Sequence, residues 1–354
     1  MFCTHPGRML AELPGAAWRA LSGTKRVVLL KHRAALGDLL MLTPLVRALR
    51  KHLPDFRIAV ATQQPELFLN NPYIDENRTW HVLRTAATVR VGYELQESDQ
   101  EHYVEMLWAR LWSELAERGA VPAARPPLDG RHPELFLSDA ERARGRELLG
   151  KRAGRPAVVL ISGGKTRPTH NREWGYANYA ALAEALAPHC DLLQISGDEE
   201  LVFGPARTPV RNLRVGLREA ASILAACDAF LTQEGGLMHV ARAVEAPCVT
   251  IFGGTLWPEH SGYDRMRNLS VRPDCSPCRH TRQNCAHLVC MSPLTPRRVL
   301  GEISVLLIAR GYAIPPEALE RAPDTWTPPP FVDRAALEAE RVRRPSQSWT
   351  VRAE

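Results

Sequence analysis

At 354 residues the chain is long enough for two domains, because single hydrophobic cores seldom grow beyond about 250–300 residues. Hydrophobic residues at 45% and charged residues at 24% exclude wholesale disorder. A formal charge of +6, from 45 Lys and Arg against 39 Asp and Glu, suits contact with nucleotides, anionic lipid heads or nucleic acid but selects none of them. The sequence holds no apolar run of about 18 residues or more and no secretory leader, so a cytoplasmic protein is expected.

Residues 26–31 read as a buried strand that stops where Arg33-Ala34-Ala35-Leu36-Gly37-Asp38 opens into a helix. Helical spacing of Leu39, Leu42, Leu45, Val46 and Leu49 predicts one helix over about 38–52, with Arg47, Arg50 and Lys51 near its end. Pro54-Asp55 breaks it and 57–62 reads as the next strand, the opening of a parallel α/β domain. A helix is expected over 101–118 from Tyr103, Leu107, Leu111 and Leu115. Its Trp108 and Trp112 read as packed against a sheet, with an exposed acceptor platform as the alternative.

Pro122, Pro126, Pro127 and Pro133 mark 119–133 as an interdomain linker. Beyond it, strands are predicted at 157–162, 191–196, 229–232 and 248–252, with helices near 176–187, 218–226 and 236–244. Strands this apolar without alternation are expected where helices cover both faces of a parallel sheet. After Tyr312, Pro315-Pro316 and Pro328-Pro329-Pro330 give an extended strap or tail, with a short helix around 335–342. The expected division is 1–125, 126–312 and 313–354.

Open α/β sheets bind ligands outside the carboxyl ends of their strands, and four such turns carry suitable chemistry. Gly37 permits close backbone approach, and Asp38 either caps the following helix or points a carboxylate into the cleft. Gly163, Gly164, Lys165, Thr166 and Arg167, followed by Arg172, form either a diphosphate floor or a solvated basic loop. Gly235 and Gly236 offer N–H groups to an anion; Glu234 suits sugar hydroxyls, or is a plain cap. His239 lies in an apolar helix and reads first as a buried structural histidine, second as catalytic. Gly253 and Thr255 follow the last strand. Neither the dinucleotide fingerprint nor a complete phosphate-binding loop is present, which argues against a dehydrogenase and against nucleotide hydrolysis by that mechanism.

Cys275, Cys278, Cys285 and Cys290 crowd into sixteen residues with gaps of two, six and four. Four thiolates so spaced suit a structural zinc or iron site; metal-free thiols or two disulfides are the alternatives. Cys190, Cys227 and Cys248 read as buried thiols.

Several ordered segments resemble the ADP-heptose:lipopolysaccharide heptosyltransferase family, glycosyltransferase family 9. These are Leu36-Gly37-Asp38 with Thr43-Pro44-Leu45, then Asn71-Pro72-Tyr73-Ile74-Asp75, Glu234-Gly235-Gly236-Leu237-Met238-His239 with Phe252-Gly253, and Cys275-Ser276-Pro277-Cys278 through Thr295-Pro296. The resemblance implies a GT-B architecture, two Rossmann-like domains facing across a cleft. It also implies inverting transfer from a nucleotide-sugar, ADP-heptose first, with Asp38 as general base and no catalytic metal. Arg172, Lys165 and the helix start at Gly235-Gly236 would stabilise the leaving diphosphate. Two departures loosen the substrate: Arg172 stands where the family carries Lys, and Glu234 where it carries Asp. The stretch between about Trp80 and His102 is short where the family carries more strand and helix to receive its acceptor, which leaves the acceptor as a glycan, a protein or a small molecule. A noncatalytic nucleotide-sugar-binding protein is the alternative, and nucleic acid is not an expected partner. Peripheral membrane contact and self-association stay open.

Overall fold

The protein is described by a computed structural model covering residues 27–32, 35–79, 88–90, 101–161, 172–196, 210–278, 285 and 287–328. Strand β1 (Val27–His32) leads into helix α1 (Leu36–Leu40) and helix α2 (Thr43–His52), followed by β2 (Arg57–Thr62), β3 (Glu76–Thr79), β4 (Thr88–Arg90) and α3 (Tyr103–Glu117). All pairings are parallel and the strand order is β3-β2-β1-β4. The single helix expected over 38–52 is two helices, because Pro44 has no N–H to continue the ladder and its ring opposes the carbonyl of Leu40. That carbonyl accepts from the Thr43 hydroxyl at 2.8 Å instead.

Trp108 and Trp112 lie on the buried face of α3, and their indole N–H groups donate to the carbonyls of Pro126 and Pro122, each at 2.9 Å. They are core residues, not an acceptor platform. The proline-rich stretch beneath them forms no helix or strand but is pinned: the Arg47 guanidinium donates to the carbonyls of Asp129 and Gly130 at 2.9 and 3.0 Å and pairs with Glu134 at 2.5 Å.

Helix α4 (Asp139–Leu149), started by a Ser138/Glu141 capping box, precedes the second sheet. Then come β5 (Ala157–Leu160), α5 (Tyr176–Leu186), β6 (Asp191–Ser196), β7 (Val210–Arg214), α6 (Leu217–Leu224), β8 (Ala229–Gln233), α7 (Gly236–Ala243) and β9 (Cys248–Ile251). The chain continues through α8 (Pro258–Ser261), β10 (Arg267–Leu269), α9 (Pro296–Ile308) and α10 (Pro316–Arg321). The order β10-β9-β8-β5-β6-β7, again all parallel, is the doubly wound Rossmann order, with its reversal between β5 and β8. The central strands β5, β8 and β9 are buried along their length, as their unbroken apolar runs require.

Beyond α10 the chain lies across α5. Asn178 exchanges two hydrogen bonds with the backbone of Thr327, at 2.7 and 2.8 Å, and the Trp326 indole donates to the Trp174 carbonyl at 3.0 Å. The helix expected around 335–342 falls outside the described residues. Among the described residues no helix is long and apolar enough to cross a membrane.

Candidate active site

The turn after β1 and the turn after β8 meet. Helix α1 approaches the start of α7 so closely that a Cβ on Gly37 would lie 2.5 Å from Cδ2 of His239, and one on Gly236 would lie 3.0 Å from the Leu36 side chain. Glycine is required at Gly37 because even a methyl group would enter the imidazole. Ala35, not Asp38, is the N-cap residue of α1; Asp38 stands within its first turn, half-buried.

On the opposite side the chain leaves β8 at Gln233. Gly235 has φ 156° and ψ −170°, a conformation essentially restricted to glycine, and it turns the backbone into α7. The carboxylate of Glu234 forms a salt bridge with Arg172, whose guanidinium also donates to the Glu234 carbonyl at 3.4 Å. The Glu234 side chain is 7% exposed and that of Arg172 24%, so the cation is the more accessible member. A second tie fixes this arrangement: the Gln233 amide donates to Glu173 at 2.7 Å and accepts from the Trp174 backbone N–H at 3.2 Å. Trp174 is in turn buried and donates to the Leu294 carbonyl at 2.6 Å.

Tyr103, at the start of α3, joins the two sides. Burial raises its phenol well above the ordinary tyrosine range; Glu234 and Asp38 add to the shift and Arg172 opposes it. One neutral hydroxyl therefore lies in the electrostatic field of Asp38, Glu234 and Arg172 together. The helical pattern marks Tyr103 only as a core position, and nothing local signals this second setting.

Two histidines floor the junction. His239 is buried, its Nδ1 lies 2.6 Å from the Tyr263 hydroxyl, and burial, with smaller contributions from His102 and Arg172, pushes its pKa down to about 3. His102 accepts from the Val104 N–H at 3.2 Å, capping α3, and its Nε2 contacts the Gly262 carbonyl at 3.0 Å. Burial first, then Arg131, lowers its pKa to about 4. Both rings are neutral near pH 7, and His239 has the surroundings of a structural histidine.

Of the other expected residues, Gly163, Gly164, Lys165 and Thr166 lie outside the described residues. Gly253 and Thr255 are buried on the loop after β9, beside the cysteine-bearing segment. The Cys278 N–H donates to the Gly254 carbonyl at 2.7 Å, and a Cβ on Gly254 would lie 3.0 Å from the Cys290 sulfur and 3.7 Å from that of Cys278. Burial raises the Cys290 thiol to about 11, with Cys278 and Cys285 adding to the shift. Cys275 is exposed, on the far side of the Ser276-Pro277 bond. Four sulfur donors fit a soft metal in kind, but among the described residues no three His, Cys, Asp or Glu side chains are gathered closely enough to hold an ion.

The sequence profile of glycosyltransferase family 9 (heptosyltransferase) matches residues 82–288. Lipopolysaccharide heptosyltransferase 2 of Salmonella typhimurium is 26% identical over 218 residues, which span 55% of this chain and 60% of that protein. The chain thus spans about three-fifths of the length of that curated relative. Among solved structures, E. coli ADP-heptose lps heptosyltransferase II superposes with a TM-score of 0.54 at 17% identity, over 81% of this chain and all of that one. The iron-containing dodecameric glycosyltransferase TibC from enterotoxigenic E. coli H10407 gives 0.55 at 20% identity, over 81% and 77% of the two chains. At these identities the structures establish a shared fold, two Rossmann-like sheets of GT-B type. The profile covers more than half of the sequence, and the chain belongs to glycosyltransferase family 9.

Proposed function

We propose that this protein is an inverting glycosyltransferase that moves a heptose from ADP-heptose to an acceptor hydroxyl. The observation that carries the reading is the meeting of the two turns: a partly buried carboxylate, Asp38, shares one electrostatic environment with the Arg172–Glu234 pair at the switch point of the second sheet. Asp38 takes the proton of the acceptor hydroxyl as its oxygen attacks the anomeric carbon from the face opposite the diphosphate. The bond from that carbon to the diphosphate breaks, and its electron pair leaves on the ADP oxygen. Arg172 and the N–H groups at the start of α7 stabilise that charge. The names of the relatives support ADP-heptose as donor and a lipopolysaccharide acceptor.

In this reading residues 1–125 form the acceptor side, 126–312 the donor side, and 313–354 a strap or tail. Asp38→Asn, measured with ADP-heptose and a heptose-deficient lipopolysaccharide core, is expected to lower kcat by roughly 10²–10⁴-fold while ADP affinity stays within about threefold. Unchanged turnover would remove Asp38 from the mechanism.

Cys275, Cys278, Cys285 and Cys290 are assigned to a structural iron or zinc site, a reading supported by the sulfur-rich loop and by the iron of TibC. When bound, the metal would tie this loop to Gly254 beside the cleft. Elemental analysis of protein purified without chelator should find about one metal per chain, lost in a Cys275→Ser/Cys278→Ser variant. Metal-free folded protein of unchanged stability would contradict the assignment.

A further inference from the structure

The segment after β9, from its loop into α8, holds three polar side chains that are almost wholly buried, Thr255 at 1%, His260 at 1% and Ser261 at 2% exposure. Yet Thr255 Oγ1, His260 Nε2 and Ser261 Oγ have no hydrogen-bond partner among the described residues. Each such atom costs on the order of 1–3 kcal/mol, so three on one short stretch are hard to account for by folding alone. His260 specifies what is missing. Its Nδ1 lies 3.1 Å from the Trp257 N–H and 3.3 Å from the Trp257 carbonyl, which already accepts the His260 backbone N–H at 3.0 Å; with Nδ1 as acceptor of the Trp257 N–H, the ring proton is on Nε2. In that tautomer the unpartnered atom is a donor in want of an oxygen.

The place of the ring identifies the ligand. His260 packs 6.1 Å from the ring of Tyr103, whose phenol feels Asp38, Glu234 and Arg172, so it stands beside the junction of the two turns, buried behind Tyr103. The adjacent Gly262 carbonyl is already occupied by His102. The loop follows β9, neighbour of β8 in the sheet, and so stands on the rim that carries Glu234 and Gly235. Resting on the nucleotide-sugar reading above, we infer that His260 is a donor-binding residue whose Nε2–H holds an oxygen of the bound sugar diphosphate. That oxygen is either a hydroxyl of the transferred sugar or a phosphoryl oxygen.

Two substitutions separate ligand contact from the cap that His260 gives α8. His260→Asn keeps an acceptor near the Nδ1 position, for the Trp257 N–H, but lacks the reach of Nε2. His260→Gln places an N–H near the Nε2 position and loses the cap. Calorimetric affinities for ADP and ADP-heptose, with thermal unfolding as a control, should show His260→Asn weaker by roughly five- to tenfold and His260→Gln within about threefold of the parent. Loss for ADP-heptose alone identifies a sugar hydroxyl, and equal loss for both identifies a phosphoryl oxygen. The inference is overturned if both variants bind like the parent, or if His260→Gln loses affinity and His260→Asn does not, since that marks the cap alone. A parent protein that binds neither ligand would instead overturn the nucleotide-sugar reading.

Discussion

The two strand-to-helix turns that meet at the cleft look alike in sequence, each placing glycine and an acidic residue side by side, but they use the two residues oppositely. After β1, Gly37 serves contact between the halves, lying against His239, and Asp38 is less buried than Glu234, in the first turn of its helix. After β8, Gly235 serves backbone shape, and Glu234 is buried and neutralised by Arg172. A carboxylate that must take up and release a proton needs access to solvent or substrate, whereas one that positions a cation is best buried beside it. In the proposed mechanism the same pair of residue types supports a base on one side and a charge clamp on the other.

Substitutions at the two acidic turns should separate in kind, and the largest effect is the fall in kcat expected for Asp38→Asn with donor affinity kept. Arg172→Ala should do the reverse, weakening ADP by roughly 10–100-fold, the value of a charge-assisted contact. Arg172→Lys should fall between, because an ammonium keeps the charge but not the planar fork; calorimetry reads both.

Next in size is an acid sensitivity shared by the two histidines. Their folded pKa values, about 3 for His239 and about 4 for His102, lie below the unfolded value near 6.5. In that window the unfolded chain binds more protons, so the stabilisation is fully present above about pH 6.5 and is lost as pH falls toward 4. Each ring should contribute a slope on the order of 1 kcal/mol per pH unit, and His239→Gln should remove its share from the urea midpoint measured between pH 7 and 5. Smallest is the contact between the turns. Gly37→Ala should cost about 1–3 kcal/mol because the ring of His239 is held by Tyr263. Gly236→Ala should cost under about 1 kcal/mol, since the Leu36 side chain that it meets can yield.

Much of the second sheet was legible from the sequence because its central strands are apolar runs bounded by turns; β6 matches its expected bounds, and β8 and β9 differ by one residue. The missed elements include α9, whose buried Val299, Leu300, Ile303 and Leu307 do carry helical spacing, and two that burial does not mark. β7 is an edge strand whose residues are mostly exposed, and α4 is built largely of charged residues, although its Ser138…Glu141 capping signature stood in the sequence. The split between α1 and α2 was also written there, in Pro44, beneath an apolar spacing that suits one helix. Asp38, Arg172 and Glu234 could be found from their places beside strand ends. The pairing of Arg172 with Glu234, and the position of Tyr103 and His260 beside them, arise only when distant segments pack.

The most direct test of this division of roles is calorimetric titration of ADP into the parent protein, Asp38→Asn and Arg172→Ala at one ionic strength. The account predicts that the parent and Asp38→Asn bind ADP alike, within about threefold, while Arg172→Ala loses most of the affinity. Loss in Asp38→Asn with full binding by Arg172→Ala would contradict it.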